Sequence, residues 1–153
     1  MPFNPALVTK NAVGTGTLTF TDANNASFAF TVNGVNRTKA ITRQAFGPLP
    51  TCTFGVQQAL SLATNYQDLW WAAPAGAESG WGINFTHQGN TIFATWFTYH
   101  FDGSPLWLSV TASNTAPGVY AGTLYLTSGP AFDAVPFLPA NVVLTPVGTA
   151  TLT

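Results

Sequence analysis

A chain of 153 residues with four basic and five acidic side chains and a net charge of -1 has no electrostatic footprint for nucleic acid or for an anionic membrane surface. Charged residues make up 6% of it, against a usual figure of about 25%, and threonine fills 23 positions, so the solvated surface is built from Thr, Asn, Ser and Gly. No run reaches the roughly 18 apolar residues of a spanning helix and no basic stretch leads into an apolar one, so membrane insertion is not expected and any export signal lies outside these residues. The length fits one domain able to bury about 70% of the surface its unfolded form exposes. Its nearly neutral polar surface is weakly protected against self-association, because net charge is what keeps soluble proteins apart.

Period-2 alternation and turn dipeptides punctuate nearly the whole sequence, which predicts an all-β fold. In GTGTLTFTD (14–22) Leu18 and Phe20 share one face and Thr17, Thr19 and Thr21 the other. DANN then turns the chain into SFAFTV, whose Phe28, Phe30 and Val32 continue the apolar face. Asn33-Gly34 supplies the positive-φ pair of a tight hairpin before a third strand over 35–44. Residues 45–68 lose the alternation and read as a connector, with one short strand or helical turn over 56–63. Cys52, the single cysteine in this connector, excludes an internal disulfide and reads as an inert thiol, with an intermolecular disulfide as the alternative.

The second block is denser in aromatics. LWWA (69–72) is a short strand, and WGINFTH (81–87) places Trp81, Ile83, Phe85 and His87 on one face before a turn at Gln88-Gly89-Asn90. TIFATWFTYHF (91–101) carries Phe93, Phe97, Tyr99 and Phe101 on one side and Ile92, Ala94 and Trp96 on the other, which predicts a central strand covered on both faces. Asp102-Gly103 turns into a strand over 105–112, a looser NTAPG turn leads to 119–127, and the last strand lies within 142–153. About nine strands result. Three N-x-S/T triplets, at Asn25, Asn36 and Asn84, are what a threonine-rich chain produces by chance.

The two ends of the chain repeat each other. With an offset of 134, eleven of eighteen positions agree between residues 2–19 and 136–153. Pro2, Phe3, Pro5, Ala6 and Val8 meet Pro136, Phe137, Pro139, Ala140 and Val142; Val13, Gly14, Thr15, Thr17, Leu18 and Thr19 meet Val147, Gly148, Thr149, Thr151, Leu152 and Thr153. Shared prolines and a glycine in register point to a tandem array of period near 134, with this chain out of phase with it.

NYQDLWW (65–71), ESGWGINFTHQGN (78–90), TIFATWFTY (91–99), GTLYLTSGPAF (122–132), VGTATLT (147–153) and TKAITRQ (38–44) together span most of the chain. On these words it resembles a tandem β-repeat domain of secreted and cell-surface bacterial proteins. The resemblance makes 69–153 the front of one repeat and 1–44 the back of another, within a single domain over 1–153. It implies an accessory or structural role outside the cell and transfers no catalytic residue. In repeat order eight antiparallel strands are joined by hairpins, enough to close an up-and-down β-barrel of about eight to nine strands. The similarity to streptavidin or the lipocalins is architectural only, and a two-sheet β-sandwich is the alternative.

Two copies of one strand with one slot per barrel leave a surplus strand whose unpaired backbone needs another edge. Donation between chains supplies it, and head-to-tail donation can build filaments. The assembly residues are therefore Val13, Gly14, Thr15, Thr17 and Leu18 with Val142, Val147, Gly148, Thr149, Thr151 and Leu152. The expected partner is the chain itself, in a non-enzymatic extracellular subunit.

Catalytic, cofactor and metal sites are not expected. His87 and His100 fall at opposite ends of 91–101, roughly 30 Å apart at about 3.4 Å per residue. Asp22, Asp68, Asp102 and Asp133 mostly read as turn caps, and Glu78 is the best candidate for a functional acid. The alternative function is a carbohydrate- or small-ligand-binding barrel using the flat faces of Trp70, Trp71, Trp107 and Tyr99, with core roles for Trp81 and Trp96.

Overall fold

A computed structural model gives the structure of the protein and describes residues 3–48, 65–74 and 76–153. The described residues form an all-β fold of nine strands and two single-turn 3-10 helices. β1 (Gly14–Phe20), β2 (Asn25–Val32) and β3 (Val35–Thr42) make a three-stranded antiparallel meander. β4 (Asp68–Trp70), β5 (Gly82–Gln88), β6 (Thr91–Tyr99), β7 (Pro105–Ala116), β8 (Val119–Ser128) and β9 (Val143–Leu152) make a six-stranded antiparallel sheet in sequence order. The strand or turn expected over 56–63, and Cys52, lie outside the described residues.

Neither sheet closes on itself, which corrects the barrel expectation in favour of two open, sandwich-like sheets. The reason lies in chain order. The strand that would join β8 to β2 is present twice, once as β9 paired to β8 and once as β1 paired to β2. Each copy completes one sheet, and among the described residues each sheet keeps two free edges.

Turn chemistry places the hairpins. Asn33 and Gly34 adopt φ of 48° and 83°, the two positive values that a two-residue hairpin matched to strand twist requires. The NTAPG segment is no loose turn. β7 runs on to Ala116, and Pro117-Gly118 alone reverses the chain, with the extra residue absorbed as a bulge between Asn114 and Ala116.

The larger sheet carries the core on one face. Residues paired directly across antiparallel strands share a face, so Ile92 and Ala112, then Ala94 and Val110, stack in adjacent rows. These four and Tyr120 are the buried apolar cluster, with Tyr66, Ile83, Phe85, Leu124, Ala150 and Leu152 packed around it. β6 is interior, as its sequence predicts, but only one of its faces is sealed. Ala94 is fully buried while its neighbour Phe93 stays 40% exposed on the other face. The strand also ends at Tyr99, leaving Phe101 in the turn in full solvent contact.

Among the described residues the meander has no comparable core. Leu18 and Phe28 pair across β1 and β2, and Gly16 pairs with Phe30, yet Leu18 is 54% and Phe20 73% exposed. Side chains between β8 and β9 give this face partial cover: the Phe132 ring lies 6.1 Å from Phe30, and Lys39 Nζ sits 5.3 Å over the Phe137 ring. Behind β3, the Gln88 amide fixes the chain to the β5–β6 turn, accepting from Phe46 N–H at 2.7 Å and Gly47 N–H at 3.1 Å and donating to the Gln44 carbonyl at 3.0 Å.

Candidate functional site

The repeated segment has the same local structure in both places. Pro5–Leu7 and Pro139–Asn141 each form one 3-10 turn, closed by Val8 N–H to the Pro5 carbonyl and by Val142 N–H to the Pro139 carbonyl. A strand follows each, and among the described residues each strand stands at an open sheet edge.

The two edges are complementary. In an antiparallel ladder successive residues turn their N–H and C=O to opposite sides. Val13 accepts from Asn33 and Thr21 donates to Asn25, so odd-numbered residues of β1 bond to β2 and even-numbered ones face the open edge. In the large sheet His100 N–H donates to Ser104 and Asn114 N–H donates to Asn90, so even residues of β7 face β6 and odd ones face β8. Ser113 opposes Ala121, which leaves Tyr120, Gly122 and Leu124 facing Leu152, Ala150 and Gly148 of β9. Even residues of β9 therefore bond to β8, and Thr149 and Thr151 present their backbone to the open edge. The side that β1 leaves free is the side that β9 uses, and the reverse holds too.

The predicted assembly residues divide accordingly. Thr15 and Thr17 belong to the bonded side of β1, and Gly14 and Leu18 to its free side. Val147 is the extra residue of a bulge, since Leu124 pairs with Gly148 and Tyr125 with Pro146; Val142 ends the preceding turn. Upstream of the bulge the phase reverses, and there the sequence identity between the copies also lapses, over 9–12 and 143–146.

The aromatic ligand set predicted from sequence is split. Trp70 and Ile83 pair, as do Ile83 and Trp96, which puts Trp70 on the core face of the large sheet. Phe97 pairs with Trp107 and Tyr99 with Pro105, putting Trp107 and Tyr99 on the opposite face. Trp107 is 62% exposed with its ring edge-on to Phe97 at 4.9 Å, and Tyr99 stacks on Phe3 at 6.4 Å. Trp71 follows β4 and is exposed. No single ligand could touch all four, because the sheet lies between them.

Sequence reasoning missed an apolar cavity of about 390 Å³ on the core face, lined by Tyr66, Trp70, Phe85, Ile92, Tyr120 and Leu152 with Gly118, Thr151 and Thr153. Both edge strands border it, Trp70 from β4 and Leu152 from β9, so the sheet is curled though unclosed. Trp70 is aimed by its indole N–H, which donates to the Tyr66 carbonyl at 3.0 Å. Deep in this wall, His87 is buried. Its Nδ1 accepts from Tyr66 N–H at 3.0 Å, and its Nε2 lies 2.8 Å from the Gly89 carbonyl and 3.2 Å from the Tyr120 hydroxyl. A carbonyl only accepts, so the network assigns the proton to Nε2 and a neutral ring.

These contacts make His87 a structural hub. Glu78 is likewise occupied, its Oε2 accepting from the Trp81 indole at 2.6 Å, and Trp81 meets Trp96 edge-on at 6.4 Å. Asp22 and Asp102 cap turns, as their sequence context predicts. Among the described residues no group of three or more His, Cys, Asp or Glu could hold a metal ion. No family model matches the chain, and neither the curated proteins nor the solved structures hold a significant match to it.

Proposed function

We propose that this chain is a non-enzymatic structural subunit of the cell exterior that assembles with copies of itself by β-strand donation through its duplicated terminal segment. The observation that carries the reading is the pair of open edges: one strand sequence occurs twice, and each copy leaves free the side that the other uses. An unpaired edge is a template for pairing with another chain, and the low charge does little to oppose it. Joining the strands through one shared slot would also give the closed eight-stranded barrel that repeat order implies.

Light scattering over a concentration series tests the reading. Wild-type protein is expected to grow beyond its 16.1 kDa chain mass. Thr151→Pro removes an N–H that faces the open edge and spares the bonds to β8, the one side on which an edge strand tolerates proline. It should stay at chain mass. Wild-type protein that remains a monomer throughout the series sinks the proposal.

The second reading, a small-ligand-binding module, is favoured by one observation, the aromatic cavity beside Trp70. A ligand there would change tryptophan fluorescence without any dependence on protein concentration.

A further inference from the structure

Resting on the assembly reading, we infer that the partner of β9 is the β2–β3 hairpin of a second copy, with β9 taking the place of that copy's β1. The register follows from the offset of 134 between the copies. Gly14, Gly16, Leu18 and Thr19 oppose Val32, Phe30, Phe28 and Ser27, so Gly148, Ala150, Leu152 and Thr153 come to oppose those same four residues of the neighbour.

Three features agree on this register. The first is the backbone. From Gly148 on, even residues of β9 are spent on β8, and β2 bonds to odd residues of β1, so over 148–153 a single strand between β8 and β2 has every N–H and C=O paired. The second is the side-chain face. Ala150 and Leu152 pack against the buried cluster, and in β1 the same positions lie on the face of Phe28 and Phe30. Joined to β9, the neighbour's hairpin sets these two rings beside Ala150 and Leu152, extending the apolar wall of the cavity. Among the described residues of the isolated chain, the meander's apolar face has the partial cover of Phe132 and Phe137. The third is a glycine. A Cβ on Gly14 would overlap the Thr31 carbonyl of β2, whereas a Cβ on Gly148 meets nothing within 4 Å. Among the described residues nothing gives Gly148 a steric reason to be glycine inside its own sheet. It acquires one when Thr31 of a second copy stands where Thr31 stands against Gly14.

Exchange replaces one strand by its near copy in the same register, so the ladder on β2 is conserved. The bonds that β9 gains are those that the displaced β1 gives up, so what favours exchange is the cover that Phe28 and Phe30 find beside Ala150 and Leu152. Within one chain the hairpin is tied to the segment between β8 and β9 by Phe30 against Phe132, Lys39 over Phe137 and Arg37 on the Asp133 carbonyl at 3.3 Å.

Gly148→Ala is the test. The added methyl has room in the large sheet, so thermal unfolding should match wild type, while the concentration needed for growth in light scattering should rise at least tenfold. As a second measurement, two full-length chains, Ser27→Cys and Thr153→Cys, each also carrying Cys52→Ser, are mixed under mild oxidation. Directly opposed residues of a bonded pair sit about 5.5 Å apart at Cα, within disulfide reach, so a covalent heterodimer is expected. Growth of Gly148→Ala at wild-type concentrations overturns the inference, as does growth of the mixture without the cross-link. If Thr151→Pro still blocks that growth, strand donation stands and only the hairpin register falls. If wild-type protein never grows, both fall together. Should Gly148→Ala unfold differently, the cross-link alone decides.

Discussion

Leu18 and Leu152 hold the same place in the two copies of the repeated strand, yet Leu152 packs against the buried cluster while Leu18 is 54% exposed. The difference comes from which neighbour each strand found. β9 lies beside β8 on the curled sheet, and β1 lies on a meander with little to cover it. Leu152→Ala therefore loses packing and leaves a partial void, at about 1–3 kcal/mol, whereas Leu18→Ala should cost no more than about 0.5 kcal/mol, the range of surface substitutions. Urea unfolding of the dilute, unassembled protein measures both. Equal losses would mean that the two environments are not distinct in solution.

The His87 network makes a sharper demand, because a buried group left without its partner pays its full desolvation. His87→Ala strands Tyr66 N–H and opens space beside Tyr120, so it should destabilise the chain by about 2–4 kcal/mol. Tyr120→Phe removes only the hydroxyl 3.2 Å from Nε2 and should cost about 1 kcal/mol. Denaturant midpoints at fixed slope would show the ranking, and a reversal would place the network's weight on Tyr120.

Strand positions were legible where alternation is clean. Leu18 and Phe28 were placed on one face by period alone, and Asn33-Gly34 announced its hairpin. Closure was not legible, because alternation fixes the face of each residue and says nothing about which edge a strand meets; with two copies of one strand, edge choice decides between a barrel and two sheets. The end of β7 was misplaced since Asn114 and Thr115 read as turn residues, while a bulge let the strand absorb them. In the candidate site, the duplicated edge was visible as sequence identity. The cavity was not, because Tyr66, 21 residues from His87, and Tyr120, 33 residues from it, meet only through sheet curvature. Trp107 and Trp70 look alike in sequence, and only the pairing register separates their faces.

Two turns tie stability to pH. The Asn25 side-chain amide, with the Asn24 N–H, holds the exposed Asp22 carboxylate below the ordinary carboxylate range, and the Ser104 hydroxyl and N–H do the same for Asp102. A carboxyl whose folded pKa is lowered stabilises the fold at pH above its ordinary value, and that contribution is lost as pH falls through the ordinary range to the lowered one. Asp22→Asn should thus lower Tm at neutral pH and narrow the gap to wild type on acidification. A gap that is constant with pH would show that the Asp22 charge plays no part.

The cavity makes its own prediction. Its lining is mostly aromatic and aliphatic, with hydroxyls only from Tyr and Thr, so it selects flat apolar groups over charged ones. Trp70 is the one tryptophan in its wall. An uncharged aromatic probe should quench part of the tryptophan emission. Trp70→Ala should weaken that binding at least about tenfold, close to 1.4 kcal/mol, and Trp107→Ala, on the far face, should leave it unchanged. Equal loss in both variants would mean that the probe reads the protein's stability instead of the cavity. Loss only with Trp107→Ala would move the apolar site to the outer face, where Trp107 stands against Phe97.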